Sequence, residues 1–511
     1  MALLVTSLLA LFTLSLAISW IVIGVGIPLS HYFNIADHPG GHKEHDTITP
    51  FIGGTGIFFA IIIGLNIIDG SHLLSNIPYA CMILSAITIF LTGFADDVLH
   101  LDYKIRFLAQ TIVALVMALW GGVILLDLGK VFFSDVLELN TIALPFTVFA
   151  TIGVINALNM IDGLDGLAGS LSFVSLLLIA IVTFVAGEEA YLGLVVTMMG
   201  GVSGFLYYNL RYGSRRRAAV FLGDNGSMLL GLLFSWLFIH LSQGETRAMT
   251  PVTALWILAV PLMDAVGVMI RRLYYRNSPF YPDRNHLHHL LVRASFRTQD
   301  IVYIISLIQL VLGSIGLAGL YLNIPEFWML AGFTGVFLVY CYIIARPWRF
   351  VLFLRSLHAR MGFTSADCHG VFVGNFPMKD TPSFVHTLVG ELHSNYDYDV
   401  RIYEDHANTN EPLAYAVIEL FLERDDMSSA SQIRPLITSL KKQLQDYTGI
   451  RIRQFIKRDD QHDRRIGHKP VSADFRNTDR RSKSKSALIY RACSDGSVAT
   501  PHYPLTRPMF R

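Results

Sequence analysis

The chain alternates between long apolar runs and short polar loops. A bilayer core takes about 20 apolar residues per helical span. Eleven runs approach or reach that length: 2–27, 51–69, 77–94, 105–126, 141–158, 166–186, 191–210, 225–241, 250–270, 300–321 and 327–345. The first run lacks the basic flank of a cleavable signal and is expected to be a retained helix. The pattern predicts an all-α polytopic membrane protein with about eleven transmembrane helices over residues 1–345. Gly53-Gly54-Thr55-Gly56 and Gly200-Gly201 fall inside these runs and read as surfaces for close helix packing.

Composition sharpens this picture. Of 511 residues, 53% are hydrophobic and 15% charged, where a soluble chain carries about 25% charged. The acidic and basic residues nearly cancel, for a formal net charge of +1, and nothing in them suggests a nucleic-acid binder, whose basic residues would dominate a whole domain. Four cysteines (Cys81, Cys341, Cys368, Cys493) are too scattered for a zinc site or a disulfide framework. Loops after odd-numbered runs hold thirteen Lys and Arg, among them Lys43, Lys104, Arg106, Arg211 and Arg215–Arg217, and even loops hold only Lys130 and Arg247. The positive-inside rule then places the odd loops and the C-terminus in the cytoplasm and the N-terminus outside.

Chemistry gathers in those odd loops. Asp96 and Asp97 end one apolar run, and two adjacent carboxylates near lipid call for a cation or a shared proton. The simpler reading is a cap for the helix that starts near Tyr103, although a cap needs one Asp. Asn156, Asn159, Asp162 and Asp165 recur every three residues, which on a helix lays them along one slowly turning stripe. Gly163 and Gly166 clear space beside it. Phe221-Leu222-Gly223-Asp224-Asn225-Gly226-Ser227 precedes another run and is ordinary capping chemistry taken alone. Arg284, His286, His288 and His289 suit metal ligation or anion binding. No partner spacing for zinc accompanies them, and with Lys104 and the Arg215–Arg217 run they look more like a phosphate cradle. Acids for a divalent cation and bases for phosphates, all on one membrane face, point to a membrane enzyme that transfers a phosphate-linked group to or from a lipid.

In this order, Asp96-Asp97, Asn156…Asn159-Met160-Ile161-Asp162-Gly163-Leu164-Asp165-Gly166, Phe221-Leu222-Gly223-Asp224 and His286-Leu287-His288-His289 resemble the polyprenyl-phosphate N-acetylhexosamine-1-phosphate transferases. The resemblance covers roughly residues 1–345. It implies transfer of N-acetylhexosamine-1-phosphate from a UDP-N-acetylhexosamine to undecaprenyl phosphate, with UMP released, to initiate a lipid-linked cell-surface glycan such as O-antigen. It implies Mg²⁺, with Mn²⁺ as a substitute, held by Asp224 and Asn159. Asp96 and Asp97 match the pair near metal and prenyl phosphate. Asp162 and Asp165 match the acids lining the nucleotide pocket, with Asn156 beside them. Arg284, His286, His288 and His289 match the diphosphate-binding loop, and Lys104 and Asn209 match further substrate-binding positions. The first loop departs from the family at Gly40 and His42, leaving Lys43 and His45 to grip the lipid phosphate. The residue between the first two histidines resembles the branch that uses UDP-N-acetylglucosamine or a related simple hexosamine. The implied location is the bacterial inner membrane, with the active site and the C-terminal domain cytoplasmic and the N-terminus periplasmic. Membrane lipids are expected partners and a homodimer is compatible.

Beyond a linker at 346–368, residues 369–458 predict strands at 370–373, 399–404, 414–422 and 450–456 and helices at 383–394 and 429–447. That β-α-β-β-α-β order is ferredoxin-like and carries no phosphate loop, so a regulatory partner is expected. The basic, Ser-rich stretch 459–511 reads as a disordered tail drawn to anionic lipid. Two other classes compete. A flippase or transporter of lipid-linked sugars would hold charges near the bilayer midplane, often within inverted repeats. A CDP-alcohol phosphotransferase would carry a longer Asp-rich signature with an early Arg, which Asp162–Gly169 lacks.

Overall fold

The computed structural model describes residues 2–354, apart from 34–35, 38–48, 70–75, 133–134, 213–214, 216, 245–246, 275, 277, 279–285, 295, 346–349 and 351–352, and five strands beyond them. The chain divides into a helical unit and a second unit that contains residues 355–511. The helical unit comprises α1 (Ala2–Tyr32), α2 (Gly53–Asp69), α3 (Ile77–Leu99), α4 (Tyr103–Leu115), α5 (Ala143–Ile161), α6 (Leu167–Ala186), α7 (Glu189–Asn209), α8 (Gly223–Ser242), α9 (Pro251–Ile257), α10 (Ala259–Tyr274), α11 (Leu287–Arg293), α12 (Thr298–Tyr321) and α13 (Glu326–Ala345). Among the described residues, nine helices are long and apolar enough to cross a membrane, so this is a polytopic membrane protein. The other two predicted runs take different forms: α2 is a shorter apolar helix, and α9 and α10 form an apolar pair bent by 86° at the break between them.

The bend is written in the sequence around Pro261. Proline has no N–H to offer the carbonyl four residues back, and its ring crowds that carbonyl. Here the carbonyl belongs to Ile257. Ser175 Oγ donates to it at 2.9 Å and Gln309 Nε2 also donates to it. Gln309 Oε1 accepts the Val260 N–H at 2.9 Å. Gln309 is fully buried, so one amide replaces the backbone bonds lost at the break. The run 105–126 also differs from a simple span: α4 stops at Leu115 and passes through a π-turn, Val116–Trp120, into an irregular loop.

α8 is the central helix, with 94% of its span buried by its neighbours. It is apolar on every side, as a fully enclosed helix must be, and Trp236 and Phe234 lie wholly inside. Glycine permits close contact with its neighbours. A Cβ on Gly93 of α3 would stand 2.5 Å from the Asn225 Cα. Backbone bonds Gly53 N→Phe221 O (3.0 Å) and Gly54 N→Leu222 O (2.9 Å) tie the start of α2 to the start of α8. Before them, β1 (Ala36–Asp37) pairs antiparallel with β2 (Thr49–Pro50).

The second unit has β3 (Asp367–Pro377), β4 (Asp397–Asp405), β5 (Leu413–Leu422), β6 (Arg451–Ile456) and β7 (Ala487–Tyr490). They form one sheet in the order β6-β3-β5-β4-β7, with each neighbouring pair antiparallel. The two helices expected at 383–394 and 429–447 lie outside the described residues. β7 falls within the stretch read as a disordered tail. Its Ala-Leu-Ile-Tyr run is the apolar, β-favouring exception in a polar segment, and it pairs with β4 at Val400↔Tyr490.

Candidate active site

The ends of α3, α5 and α8 and the first turn of α4 meet at one end of the bundle. α3 closes with His100 in the left-handed conformation, its N–H bonded to the Asp96 carbonyl at 2.8 Å. Asp102 then caps α4 by accepting the Lys104 N–H at 2.9 Å. The cap of that helix is therefore Asp102, and the acid pair one turn earlier serves other ends.

Asp97 caps α8 from across the interface. Its Oδ1 accepts the Asp224 N–H at 2.9 Å, and its Oδ2 accepts the Asn225 N–H at 3.2 Å and Asn225 Nδ2 at 2.8 Å. A helix N-terminus leaves N–H groups without intrahelical partners and favours an anion, and here the anion is a remote carboxylate. Gly223 makes the approach feasible. Its φ is +78°, and a Cβ there would stand 2.7 Å from Asp97 Oδ2.

Asp96 is buried and faces Arg106 of α4. Arg106 Nη1 lies 2.8 Å from Asp96 Oδ2 and 3.3 Å from Asp224 Oδ2. Asn159 Nδ2 donates to Asp224 Oδ1 at 2.6 Å and to Ser227 Oγ at 3.0 Å. Asp224 thus joins α3, α4, α5 and α8 at one carboxylate. Arg106 was counted in the sequence only as a loop charge. The sequence signal for it was a second cation, two residues past Lys104, at the start of the helix after an acid pair. Lys104 itself is exposed, and it makes no ion pair among the described residues.

The four polar residues at intervals of three do not form one stripe. α5 ends at Ile161, with Asp162 as its C-cap, and Gly166 (φ +84°) turns the chain into α6. The stripe is cut after Asn159, and the four side chains separate. Asn156 donates to buried Gln110 at 2.8 Å, within the bundle. Asn159 reaches Asp224. Asp165 accepts Arg211 Nε at 2.8 Å and the Ala218 N–H at 3.0 Å, bracing the segment after α7. Asn209 joins the same brace: its Oδ1 accepts the Gly166 N–H at 2.6 Å and its Nδ2 donates to Val220 O at 2.8 Å. Asp162 has no such brace among the described residues. Its carboxyl is pushed up to about 8, first by burial and then by the charges of Asp224 and Asp165.

The histidines lie beside this turn. A Cβ on Gly163 would stand 2.7 Å from His288 Nε2, so the glycine next to Asp162 is the floor of the imidazole. The His288 and His289 ring centroids are 4.2 Å apart, and those of His286 and His288 are 5.5 Å apart with nearly parallel planes. Burial, then neighbouring His289, lowers the His288 pKa to about 3. It is therefore a neutral imidazole. Its Nδ1 is buried without a protein partner among the described residues. Arg284, Lys43 and His45 lie outside the described residues.

No group of three His, Cys, Asp or Glu side chains forms a metal cage among the described residues. A hard divalent cation such as Mg²⁺ does not need one, since it is held by one or two carboxylates together with phosphates and waters. Asp96, Asp97, Asp162 and Asp224 gather here, and Arg106 is bonded to Asp96 and Asp224. An acid raised to about 8 marks the surplus of negative charge, and the Asp224 carboxylate fits Mg²⁺, while Asn159, whose Nδ2 faces Asp224 here, would offer its amide oxygen after an amide turn.

Residues 79–242 match the glycosyl transferase family 4. The chain is 36% identical over 330 residues to an undecaprenyl-phosphate alpha-N-acetylglucosaminyl 1-phosphate transferase of Escherichia coli strain K12, covering 64% of this chain and 88% of that relative. It is 34% identical over 366 residues to the protein of the same name from Yersinia pestis, covering 71% and 98%. A third relative of that name, from Haemophilus influenzae, is 34% identical over 333 residues, covering 65% and 93%.

Proposed function

Since the chain belongs to glycosyl transferase family 4, we propose that it transfers N-acetylglucosamine-1-phosphate from UDP-N-acetylglucosamine to undecaprenyl phosphate and releases UMP. The observation that carries this reading is the junction of two sites of opposite chemistry. The Asp96–Arg106–Asp224–Asn159 cluster meets the histidine loop through the Asp162-Gly163 turn. A diphosphate donor and a phosphate acceptor need both.

In the reaction a lipid phosphate oxygen attacks the β-phosphorus, and the bond from that phosphorus to the bridging oxygen breaks, so UMP leaves with the electron pair. Mg²⁺, held by Asp224 and Asn159 with Mn²⁺ as a substitute, would neutralise charge on the diphosphate. Arg106, poised between Asp96 and Asp224, would turn to the phosphates as they enter. Asp97 fixes the α8 N-terminus and with it the direction of Asp224. Asp162 is one acid of the cluster whose proton affinity suits exchange with a lipid phosphate near neutral pH. His288, neutral and with an Nδ1 that has no partner among the described residues, would accept or donate a single hydrogen bond to the donor.

The site end is read as cytoplasmic in the bacterial inner membrane, from the placement of Lys and Arg. The strand order, with β3 between β6 and β5, supports a ferredoxin-like C-terminal domain. A flippase is not favoured, because Asp96, Asp97, Asp162 and Asp224 gather at one end of the bundle. The test is UMP release by purified protein with undecaprenyl phosphate and Mg²⁺, comparing UDP-N-acetylglucosamine with UDP-N-acetylmuramoyl-pentapeptide. At least about 100-fold higher kcat/KM for the first is expected, the scale of a few polar contacts. Equal rates would overturn the donor assignment, and absence of UMP from both would overturn the transfer.

A further inference from the structure

Asp264 is a carboxylate placed midway along an otherwise apolar span, 1% exposed. Three donors converge on it. His286 Nδ1 lies 2.7 Å from Oδ2, the Leu287 N–H donates to Oδ1 at 2.9 Å, and the Tyr340 hydroxyl donates to Oδ1. Tyr340 reaches it from α13 because α10 and α13 touch closely at Gly267, where a Cβ would stand 2.9 Å from the tyrosine ring. A charge at this depth needs partners, and such residues in membrane spans usually serve function. Asp264 makes no contact with the acid cluster at Asp224 among the described residues. What it holds is the histidine loop.

We infer that Asp264 is a positioning residue: it keeps the proton on Nδ1 of His286, leaving Nε2 as a hydrogen-bond acceptor for a hydroxyl of the bound UDP-sugar. The chemistry follows from the count of donors. Oδ1 is occupied by Leu287 and Tyr340, so Oδ2 alone is left for the imidazole, and an acceptor there requires hydrogen on Nδ1. The groups facing Asp264 are His286 and His288 on one side and Tyr340, with neighbouring Cys341, on α13. The same carboxylate ties the first residue of α11 in place, so ring and loop share one anchor. An outer partner of this kind fixes tautomer and orientation of a working imidazole.

Asp264→Asn separates this role from packing. To keep the two bonds at Oδ1, the amide must turn its NH₂ toward His286 Nδ1, which forces the opposite tautomer while the loop anchor survives. This inference rests on the reading of the histidines as donor-binding groups, so His286→Ala is measured beside it. With UDP-N-acetylglucosamine, undecaprenyl phosphate and Mg²⁺, Asp264→Asn should lower kcat about 10–100-fold with KM within about 3-fold. The double variant Asp264→Asn/His286→Ala should match His286→Ala within about 2-fold, because Asp264 acts through that ring. Asp264→Glu, which keeps an acceptor for Nδ1–H, should recover most of kcat, and it carries the test if the Asn variant does not fold. Full additivity in the double variant, or a Glu variant no better than Asn, would overturn the positioning role. Near-normal activity of His286→Ala would instead overturn the donor-binding reading beneath it.

Discussion

Arg106 and Asp224 sit 118 residues apart in sequence and 3.3 Å apart in space, with Asp96 on the other side of the same guanidinium at 2.8 Å. The arrangement makes the arginine a stand-in for charge that ligands will bring. Arg106→Gln removes the cation and leaves Asp96 buried and unpaired, which favours a metal over the free site. The expected outcome is at least about 100-fold lower kcat together with a lower Mg²⁺ concentration for half-maximal rate. A Mg²⁺ titration of initial rates measures both, and an unchanged Mg²⁺ dependence would separate Arg106 from the metal site.

Asp224→Asn keeps the shape of the carboxylate and removes its charge. Turnover at saturating Mg²⁺ should fall by at least about two orders of magnitude, as when a principal electrostatic stabiliser is lost. The variant should still melt cooperatively, since Asp97 continues to accept the backbone N–H of residue 224. Near-normal turnover would refute the metal-site assignment.

Asp162 gives a pH signature. Its folded pKa is raised to about 8 from an ordinary 3.8, so the folded state binds the proton more tightly than the unfolded state. The associated stability is fully present below about pH 4 and is lost as pH rises through about 8. In EDTA, Asp162→Asn should therefore raise Tm relative to wild type at pH 9 and leave it nearly unchanged at pH 4. A Tm difference that is the same at both pH values would contradict the buried, charge-crowded setting of this acid.

Gln309 is the tested element of the fold. Gln309→Leu preserves volume but strips partners from the Val260 N–H and weakens the satisfaction of Ile257 O. Each buried orphan costs about 1–3 kcal/mol. Thermal melting in detergent should show a clear drop in Tm, and Ser175→Ala should show a smaller one. No change in the Gln309 variant would mean that the break is stabilised from elsewhere.

The spans and their polar ends were legible in the sequence because hydropathy and charge act locally. Motif residues could be named for the same reason. What their side chains touch was not legible, because it depends on pairings across the bundle. The interval of three from Asn156 to Asp165 suggested one face, but Asp162-Gly163 ends the helix and scatters the set. Asp97 looked like chemistry and caps a helix more than a hundred residues away. Asp264 and Pro261 carried readable signals, a charge and a helix breaker inside one apolar run, whose meaning depended on the neighbours that answer them.

The most direct test follows the phosphorus. Purified protein with Mg²⁺ and undecaprenyl phosphate is given UDP-N-acetylglucosamine labelled with ³²P in the β-phosphate and ³H in the sugar. The account predicts both labels in the lipid in equal amounts, with unlabelled UMP released. Tritium in the lipid with the ³²P left in UDP would mean transfer of the sugar alone, and would contradict it.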